Sequence, residues 1–283
     1  MSDGVLLSAL GISRRFGGVR ALNQVSLTIH RGEIYGLIGP NGAGKTTFFN
    51  LLTGFYHPDQ GAFFLAGKPL PTGSPHRVAC AGIARTFQNI RLFANMTALE
   101  NVMVGRHLRT RTGVLGAVFR TRQALREEQA IHRRALELLH YVDMAEHAND
   151  LARHLSYGDQ RRLEIARALA TEPQLLALDE PAAGMNASET TELKGLIEGI
   201  RQDGVTVLLI EHDVKLVMNL CNRVAVLDDG EKIAEDTPSV VRRDPKVIQA
   251  YLGGGVSRML WVKPRPHRQF LGSLSSSVAR SGW

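Results

Sequence analysis

The residues with the clearest chemistry form a glycine-rich loop that ends in a lysine and two threonines. The loop comprises Gly39, Pro40, Asn41, Gly42, Ala43, Gly44, Lys45, Thr46 and Thr47. It fits the phosphate-loop pattern of Gly, four residues, Gly-Lys and Ser/Thr, and it follows an apolar run that predicts a buried strand. Residues 47–52 predict a helix, whose N-terminus adds to the anion site made by the loop N–H groups. We therefore predict that the chain binds a nucleoside triphosphate, with Lys45 on its β and γ phosphates and Thr46 on Mg²⁺.

Further polar residues stand where two other predicted strands end. One apolar run leads into Asp179 and Glu180, and another is followed closely by His212. A carboxylate after a buried strand, beside a phosphate loop, holds Mg²⁺ in nucleotide-hydrolysing proteins, so Asp179 is assigned to the metal. Glu180 can orient or deprotonate an attacking water, and His212 is placed to touch the γ-phosphate. The pattern predicts nucleotide hydrolysis.

The elements that must position these residues are of two kinds. Residues 5–16 and 24–30 alternate apolar and polar positions, which predicts antiparallel strands of a small sheet. Later in the chain, buried strands alternate with helices, which predicts a parallel sheet with functional residues at its strand ends. Phe16 stands where the first strand should end, so it could stack on an adenine ring or serve as an ordinary core or turn aromatic.

A predicted helical segment lies between the phosphate loop and Asp179. Thr97 and Glu100 have the spacing of a capping box, which predicts that a helix begins there. Residues 121–142 carry an apolar stripe on a charged background, which predicts an amphipathic helix.

Composition and charge argue against a nucleic-acid-binding protein. The 283 residues are 44% hydrophobic and 22% charged, and the formal net charge is +7. Residues 253–283 contain five basic residues and no acidic one, so most of the excess lies in a terminal segment that we expect to be a disordered tail. Since the rest of the chain is nearly neutral, we expect no nucleic-acid partner.

Several features indicate the cytoplasm. No apolar run approaches the ~20 residues that span a bilayer, and the N-terminus does not have a secretion-signal pattern. Cys80 and Cys221 are far apart and share no metal-type spacing, which favours reduced thiols in a reducing compartment.

From residue 5 to about 252 the chain resembles the ATPase subunits of ABC transporters. The family's motifs occur here in the family's order, and they would be Phe16, Gly39–Thr47, Gln88, Leu155–Gln160, Leu175–Glu180, Ala183–Asn186 and His212. The resemblance implies an α/β fold of the P-loop NTPase class: a mostly parallel sheet core, an antiparallel β subdomain and an α-helical lobe. It makes 5–252 one nucleotide-binding domain, with the helical lobe at about 90–170, and leaves 253–283 as the tail.

The resemblance also assigns roles that the pattern alone does not. Gln88 would be a catalytic residue together with Lys45, Glu180 and His212, and it would also be a metal ligand together with Thr46 and Asp179. The active unit would be a dimer, in which Ser156, Tyr157, Gly158 and Gln160 of one subunit close on the γ-phosphate held by the phosphate loop of the other. ATP would join the two subunits, and its hydrolysis would release them.

Two departures from the family pattern point to a subfamily. Tyr157 stands where most members have glycine, and Asn186 stands where many have aspartate. Both are similar to the LivG type of ATPase, which serves importers of branched-chain amino acids, and residues 85–93 and 179–186 resemble that group closely.

The resemblance implies an assembly on the inner face of the cell membrane. Its members would be two multispanning permeases, a second ABC ATPase or a second copy of this chain, and a periplasmic substrate-binding protein. The permeases are expected to dock on an exposed subset of the apolar residues Ile90, Leu92, Phe93, Met96 and Leu99. Other readings are the ATPase of a different transport system (urea or amide uptake, or lipopolysaccharide export), a soluble ABC protein acting on nucleic acid or the ribosome, and a nucleotide sensor without activity.

Overall fold

Two β-sheets and the helices around them make up the described part of the chain, residues 4–109 and 121–253 of a computed structural model. The strands are β1 (Val5–Phe16), β2 (Val19–His30), β3 (Ile34–Ile38), β4 (Gln60–Leu65), β5 (Lys68–Pro69), β6 (Ile83–Arg85), β7 (Leu175–Asp179), β8 (Thr206–Ile210), β9 (Arg223–Asp228) and β10 (Glu231–Asp236). The helices are α1 (Lys45–Leu52), α2 (Pro75–Ala81), α3 (Ala98–Arg106), α4 (Arg122–Tyr141), α5 (Tyr157–Leu169), α6 (Ala187–Gln202), α7 (Val214–Leu220), α8 (Pro238–Val241) and α9 (Pro245–Gly253).

The two sheets differ in strand direction. The smaller sheet has the order β2-β1-β4-β5 and is antiparallel. The larger sheet has the order β10-β9-β3-β8-β7-β6, and all its neighbouring strands are parallel except β9 and β10. The carboxyl ends of β3, β6, β7 and β8 therefore meet at one edge, where ligands bind in open α/β sheets.

The central strands of the larger sheet are buried on both faces, which explains their continuous apolar runs. Every residue of β3, β7 and β8 is buried. Within β3, Ile34 and Ile38 join the core that includes the helices of 98–169, whereas Tyr35 and Leu37 join the core shared with α1 and the antiparallel sheet. This period of two is what a strand with apolar packing on each side requires.

In the helical segment between β6 and β7, capping residues mark where α3 and α4 begin. Thr97 and Glu100 form the predicted capping box of α3: the Thr97 Oγ1 accepts from the Glu100 N–H, and the Glu100 carboxylate accepts from the Thr97 N–H at 2.8 Å. The amphipathic helix predicted at 121–142 is α4, capped by Thr121. The predicted fold class is confirmed in each of its parts: mostly parallel core, antiparallel sheet and helical lobe.

Some elements differ from expectation. The second strand begins at Val19 rather than residue 24, because it pairs with β1 up to the tight turn at Gly17-Gly18. The short helices α2 and α7 have too few turns for a periodic pattern to reveal them. In the described ranges no helix combines the length and the hydropathy of a membrane span. The predicted tail lies almost entirely outside the described residues, so its disorder stays a prediction.

Candidate active site

The glycine-rich loop takes a conformation that depends on its glycines. Gly44 has φ +97° at the start of α1, and a Cβ there would lie 2.5 Å from the Ala21 carbonyl oxygen of β2. At Gly39, a Cβ would lie 2.1 Å from the Leu227 carbonyl oxygen at the end of β9. Since no side chain fits at either position, β2 and β9 press directly on the loop backbone and fix its curvature.

Lys45 is the first residue of α1 and is almost fully buried, with 5% of its surface exposed. Its ammonium group donates to the carbonyl oxygens of Gly39 at 2.6 Å and Pro40 at 2.9 Å. Burial lowers the pKa of Lys45 from its ordinary value, and the nearby Glu180 carboxylate opposes that shift. The Lys45 ammonium group thus lies against the backbone of the glycine-rich loop, where it can neutralise a phosphate group bound by that loop.

Glu180 lies at the centre of a group contributed by three strand ends. One carboxylate oxygen accepts from the Gln88 amide at 2.7 Å, and the other contacts the His212 Nε2. The Glu180 N–H donates to the Ile210 carbonyl at 2.9 Å, since the parallel register of β7 and β8 pairs Asp179 with Ile210. The structure thus brings together three residues that the sequence predicts as catalytic, and Lys45 is close enough for its pKa to be affected by Glu180.

Glu180 also has an unusual backbone. Its φ is +47°, which lies in the left-handed region. This conformation costs a non-glycine residue about 1–2 kcal/mol. Asp179 and Glu180 are adjacent but have different partners: Asp179 pairs with Arg85, whereas Glu180 contacts Gln88 and His212. Strain of this kind persists where the surrounding structure over-determines it, as the Gln88 and His212 contacts do here.

Asp179 ends β7 with only 6% of its side chain exposed and forms an ion pair with Arg85 at 2.9 Å. Burial raises the pKa of Asp179, and the Arg85 guanidinium opposes that rise. Arg85, the last residue of β6, is a site residue that sequence reasoning missed. The one signal was its position: it ends a strand parallel to the strand that carries Asp179.

Besides Arg85, sequence reasoning also missed the carboxylate of Glu211 as a site residue. Glu211 directly follows β8 and is buried, and its side chain accepts from the N–H groups of Ala182 at 2.9 Å and His212 at 3.1 Å. Burial raises the pKa of Glu211, while these backbone N–H groups oppose the shift. Glu211 therefore fixes the backbone on both sides of the group formed by Glu180 and His212.

The predicted signature residues lie at the start of α5. Ser156 is the N-cap of this helix, and its hydroxyl bonds to the Asp159 carboxylate at 2.6 Å. Tyr157 is 45% exposed, and its ring lies 3.4 Å from where a Cβ of Gly184 would stand. Among the described residues no hydrogen bond or ion pair joins this group to the glycine-rich loop of the same chain.

Gly158 and Gln160 are less accessible to a second subunit than Ser156 and Tyr157 are. A Cβ on Gly158 would lie 3.2 Å from the Glu189 carboxylate of α6, so this position packs closely against the next helix. The Gln160 amide donates to the Leu155 carbonyl at 2.9 Å, which holds its side chain within its own helix start.

A fully buried ionic cluster on α5 connects the signature residues to Gln88. The Arg161 guanidinium donates to the backbone carbonyls of Phe87 at 2.6 Å and Gln88 at 2.8 Å, and to the Tyr157 hydroxyl at 3.0 Å. It also pairs with Glu164, and neither side chain is exposed to solvent. Sequence reasoning missed this cluster because charged residues on a helix usually face water.

Phe16 lies at the end of β1 and is 40% exposed. Its ring meets the Tyr56 ring edge-on at 5.4 Å between centroids, and the Arg14 guanidinium lies 4.9 Å from the ring centroid. The alternative of a core aromatic is excluded by its exposure, whereas stacking on a base remains a prediction.

A cavity of about 470 Å³ opens between β6, α3 and α5, and we call it the aromatic groove. Phe55, Phe87 and Phe93 line it, together with Arg91 and Arg167.

Of the five apolar residues predicted to include the docking surface, Phe93 lines this groove. Met96 is exposed, and Ile90 is partly buried. Leu92 and Leu99 pack against the core instead.

Comparison with known proteins places the chain in a family. Residues 22–183 match the family model described as ABC transporter. The high-affinity branched-chain amino acid transport ATP-binding protein BraF of Pseudomonas aeruginosa is 47% identical over 249 residues, which span 88% of this chain and 98% of BraF. The corresponding protein LivG of Escherichia coli has the same identity and coverage. The chain belongs to the ABC transporter ATP-binding family.

Further matches agree with this assignment. Residues 231–257 of this ABC ATPase match a second model, described as branched-chain amino acid ATP-binding cassette transporter. An ATP-binding cassette solved in its ADP conformation superposes with a TM-score of 0.77 at 31% identity, over 88% of this chain and 99% of the cassette. A part of the cbiONQ transporter complex from Clostridium perfringens superposes with a TM-score of 0.73 at 25% identity, over 88% and 95%. The sequence-based prediction of an ATP-binding, ATP-hydrolysing cassette is confirmed.

Proposed function

We propose that this chain hydrolyses ATP to drive the import of branched-chain amino acids through permease partners. The observation that carries the hydrolytic part is the position of Glu180 between Gln88 and His212, beside the Lys45 loop. The transported substrate is argued from the 47% identity to BraF and LivG over nearly their whole length, and from the C-terminal family match. Urea or amide uptake and lipopolysaccharide export remain the alternatives within the family.

In this proposal the glycine-rich loop, Gly39–Thr47, holds the phosphates. Its backbone curves tightly enough to exclude a Cβ at Gly39 and Gly44, and the helix α1 begins at its end. Lys45 exchanges its two loop carbonyls for the β and γ phosphates. The base stacks on Phe16, which is exposed at the end of β1. These contacts bind and orient ATP before any bond breaks.

The residues present fit Mg²⁺, which we propose is held by Thr46, Asp179 and Gln88. Mg²⁺ prefers a few oxygen ligands from the protein together with phosphates and waters. One carboxylate, one hydroxyl and one amide oxygen supply that set. Within the described ranges, no group of three His, Cys, Asp or Glu residues is suited to a metal ion. When bound, the ion would neutralise charge on the phosphates. The Gln88 amide nitrogen donates to Glu180, so its oxygen is the ligand atom.

Glu180 is the proposed general base. Its carboxylate is held on both sides, by Gln88 and by His212, and so keeps one orientation for the attacking water. His212 is about half exposed, which lets it contact the γ-phosphate as well as Glu180.

The partner subunit, either a second copy or a related ATPase, would complete the site. Ser156 and Tyr157 are exposed at the start of α5, where backbone N–H groups favour an anion. We propose that they and Gly158 contact the γ-phosphate bound to the opposite subunit. Gln160 is held inside its own helix start, so its contact across the dimer requires that it leave the Leu155 carbonyl.

Two multispanning permeases would place the ATPase at the inner face of the membrane. We propose that the aromatic groove, where Phe55 and Phe93 are exposed, receives a short helix from a permease. A periplasmic substrate-binding protein would deliver the amino acid to those permeases. Of the five apolar residues predicted to include the docking surface, Phe93 lines the groove, whereas Leu92 and Leu99 are partly buried and pack against the core.

The test of hydrolysis compares the purified wild type with Glu180→Gln, and reads oligomer size in the same samples. We expect hydrolysis to be lost and an ATP-bound dimer to accumulate in the variant, because the base is gone while the binding contacts remain. Equal activity in both proteins would contradict the role of Glu180.

The test of the substrate uses the chain reconstituted with its permeases and binding protein in vesicles. Leucine uptake that depends on ATP and on Glu180 supports the proposal. Uptake of urea or amides without leucine would replace it.

A further inference from the structure

Arg85 connects the proposed metal site at Asp179 with the aromatic groove. Its guanidinium donates to the Asn50 side chain at 2.6 Å and the Thr53 hydroxyl at 2.9 Å, both at the end of the helix that follows the glycine-rich loop. It also donates to the Asp179 carboxylate at 2.9 Å. A single planar group thus fixes the Asp179 carboxylate relative to α1.

The same guanidinium lies among three aromatic rings. Its central carbon is 4.5 Å from the ring centroid of Phe49, 5.3 Å from that of Phe55 and 4.9 Å from that of Phe87. Phe55 and Phe87 also meet each other edge-on at 6.0 Å, and both line the aromatic groove, as does Arg85 itself. Only 10% of the Arg85 side chain is exposed. An occupant of the groove therefore touches the rings that hold the partner of Asp179.

We propose that Arg85 is a positioning residue that transmits occupation of the aromatic groove by a permease segment to the Asp179 carboxylate. The inference rests on the proposed docking at this groove and adds the residue that links docking to the metal site. A helix seated in the groove displaces the Phe55 and Phe87 rings, and the guanidinium packed against them follows. Because Arg85 is bonded to Asp179, the carboxylate changes its position relative to the glycine-rich loop.

The geometry requires arginine rather than any cation. A planar fork can stack on rings while donating to three separate oxygens, whereas the ammonium of a lysine is a point charge that cannot do both. Arg85→Lys therefore retains the charge but breaks the link between rings and carboxylate, and Arg85→Met removes both. Arg223 supplies a matched control, because it also pairs with carboxylates and stacks on a ring, that of Tyr35, on a strand outside the groove.

The experiment measures two quantities for the wild type, Arg85→Lys, Arg85→Met and Arg223→Met. The first is the Mg²⁺ concentration that half-saturates binding of a fluorescent ATP analogue, with binding in EDTA as the reference. The second is the factor by which reconstituted permeases stimulate ATP hydrolysis. Residues that orient metal ligands typically contribute 10–100-fold to metal affinity. We expect the half-saturating Mg²⁺ concentration, measured relative to binding in EDTA, to rise about tenfold in Arg85→Met.

The stimulation factor separates positioning from simple stabilisation. In both Arg85 variants it should fall towards one, while Arg223→Met keeps the wild-type factor and the wild-type Mg²⁺ dependence. Wild-type Mg²⁺ dependence and wild-type stimulation in both folded Arg85 variants would overturn the inference. A wild type that the permeases do not stimulate would instead overturn the proposed docking.

Discussion

Replacing Arg161 by methionine removes the centre of a buried cluster of charges. The Arg161 side chain has no exposed surface, and it donates to the Phe87 and Gln88 carbonyls and to the Tyr157 hydroxyl. Its partner Glu164 is equally buried and would remain behind. Removing one member of a buried ion pair costs about 3–5 kcal/mol, since the remaining charge stays buried.

The neighbouring contacts place the cost at the lower end of that range. Arg167 lies 3.7 Å from Glu164, and the Arg91 N–H donates to the same carboxylate at 3.2 Å. We therefore expect Arg161→Met to lower the free energy of unfolding by about 3 kcal/mol. Against a total of about 5–15 kcal/mol, the variant stays folded at 25 °C. With a urea dependence of about 3 kcal/mol per molar, the midpoint falls by about 1 M.

The pH dependence of this loss is a sharper test than its size. Burial raises the pKa of Glu164 above its ordinary value, and Arg161 opposes the rise. In the variant the pKa rises further, so the folded state binds a proton more tightly than the unfolded state does. Stability is then gained as the pH falls through the folded pKa, and the deficit of the variant should shrink between neutral pH and a more acidic pH below the folded pKa of Glu164 in the variant.

Urea unfolding of the wild type and the variant at both pH values measures this deficit. Arg162→Met is the matched control, since the next side chain along α5 pairs with Glu192 at the surface and should cost under about 1 kcal/mol. An equal deficit at both pH values, or a loss no larger than that of the control, would refute the reasoning about the buried charge.

Three further outcomes are expected. Gly44→Ala should abolish ATP binding in calorimetry because its Cβ would lie 2.5 Å from the Ala21 carbonyl, whereas Gly67→Ala, with a similar φ of +76° but open space, should retain it. Thr97→Ala should lower the free energy of unfolding by about 1 kcal/mol, since the cap of α3 is lost; an unchanged thermal midpoint would contradict this. The hydrogen bond to Asp150 raises the pKa of His147, so this exposed pair stabilises the fold at low pH and loses that effect as the pH rises through the folded value. Asp150→Asn should lower the pKa measured by NMR, and Asp143→Asn should not.

The sequence predicted best where a residue's role follows from its local context. The glycine-rich loop needed only its own spacing and its flanking strand and helix, and Asp179 and Glu180 needed only the apolar run before them. Parallel strands then bring such ends to one edge without further information. The capping box at Thr97 and Glu100 was likewise a local signal.

Residues that act through distant contacts could not be found in this way. Arg85 and Arg161 bond to groups that lie far away in sequence, and an isolated charged residue normally predicts a solvent-exposed position. The position of Arg85 at a strand end was its one signal, and Arg161 had a signal in its helical spacing. Arg161, Glu164 and Ile165 fall on one face of α5 at helical spacing, and that face is buried. A charged pair within an apolar stripe predicts an internal ion pair.

The strand order has a consequence for the synthesis of this protein. The strand that leads into the glycine-rich loop, β3, lies between β8 and β9, and both of these are made near the end of the described chain. A nascent chain that already carries Lys45 has neither neighbour for its central strand, and it has not yet made Glu180 or His212. Contacts of such long sequence separation form late in folding. With Glu180 as the proposed base, an incomplete chain on the ribosome would have the glycine-rich loop without the residue that activates the attacking water.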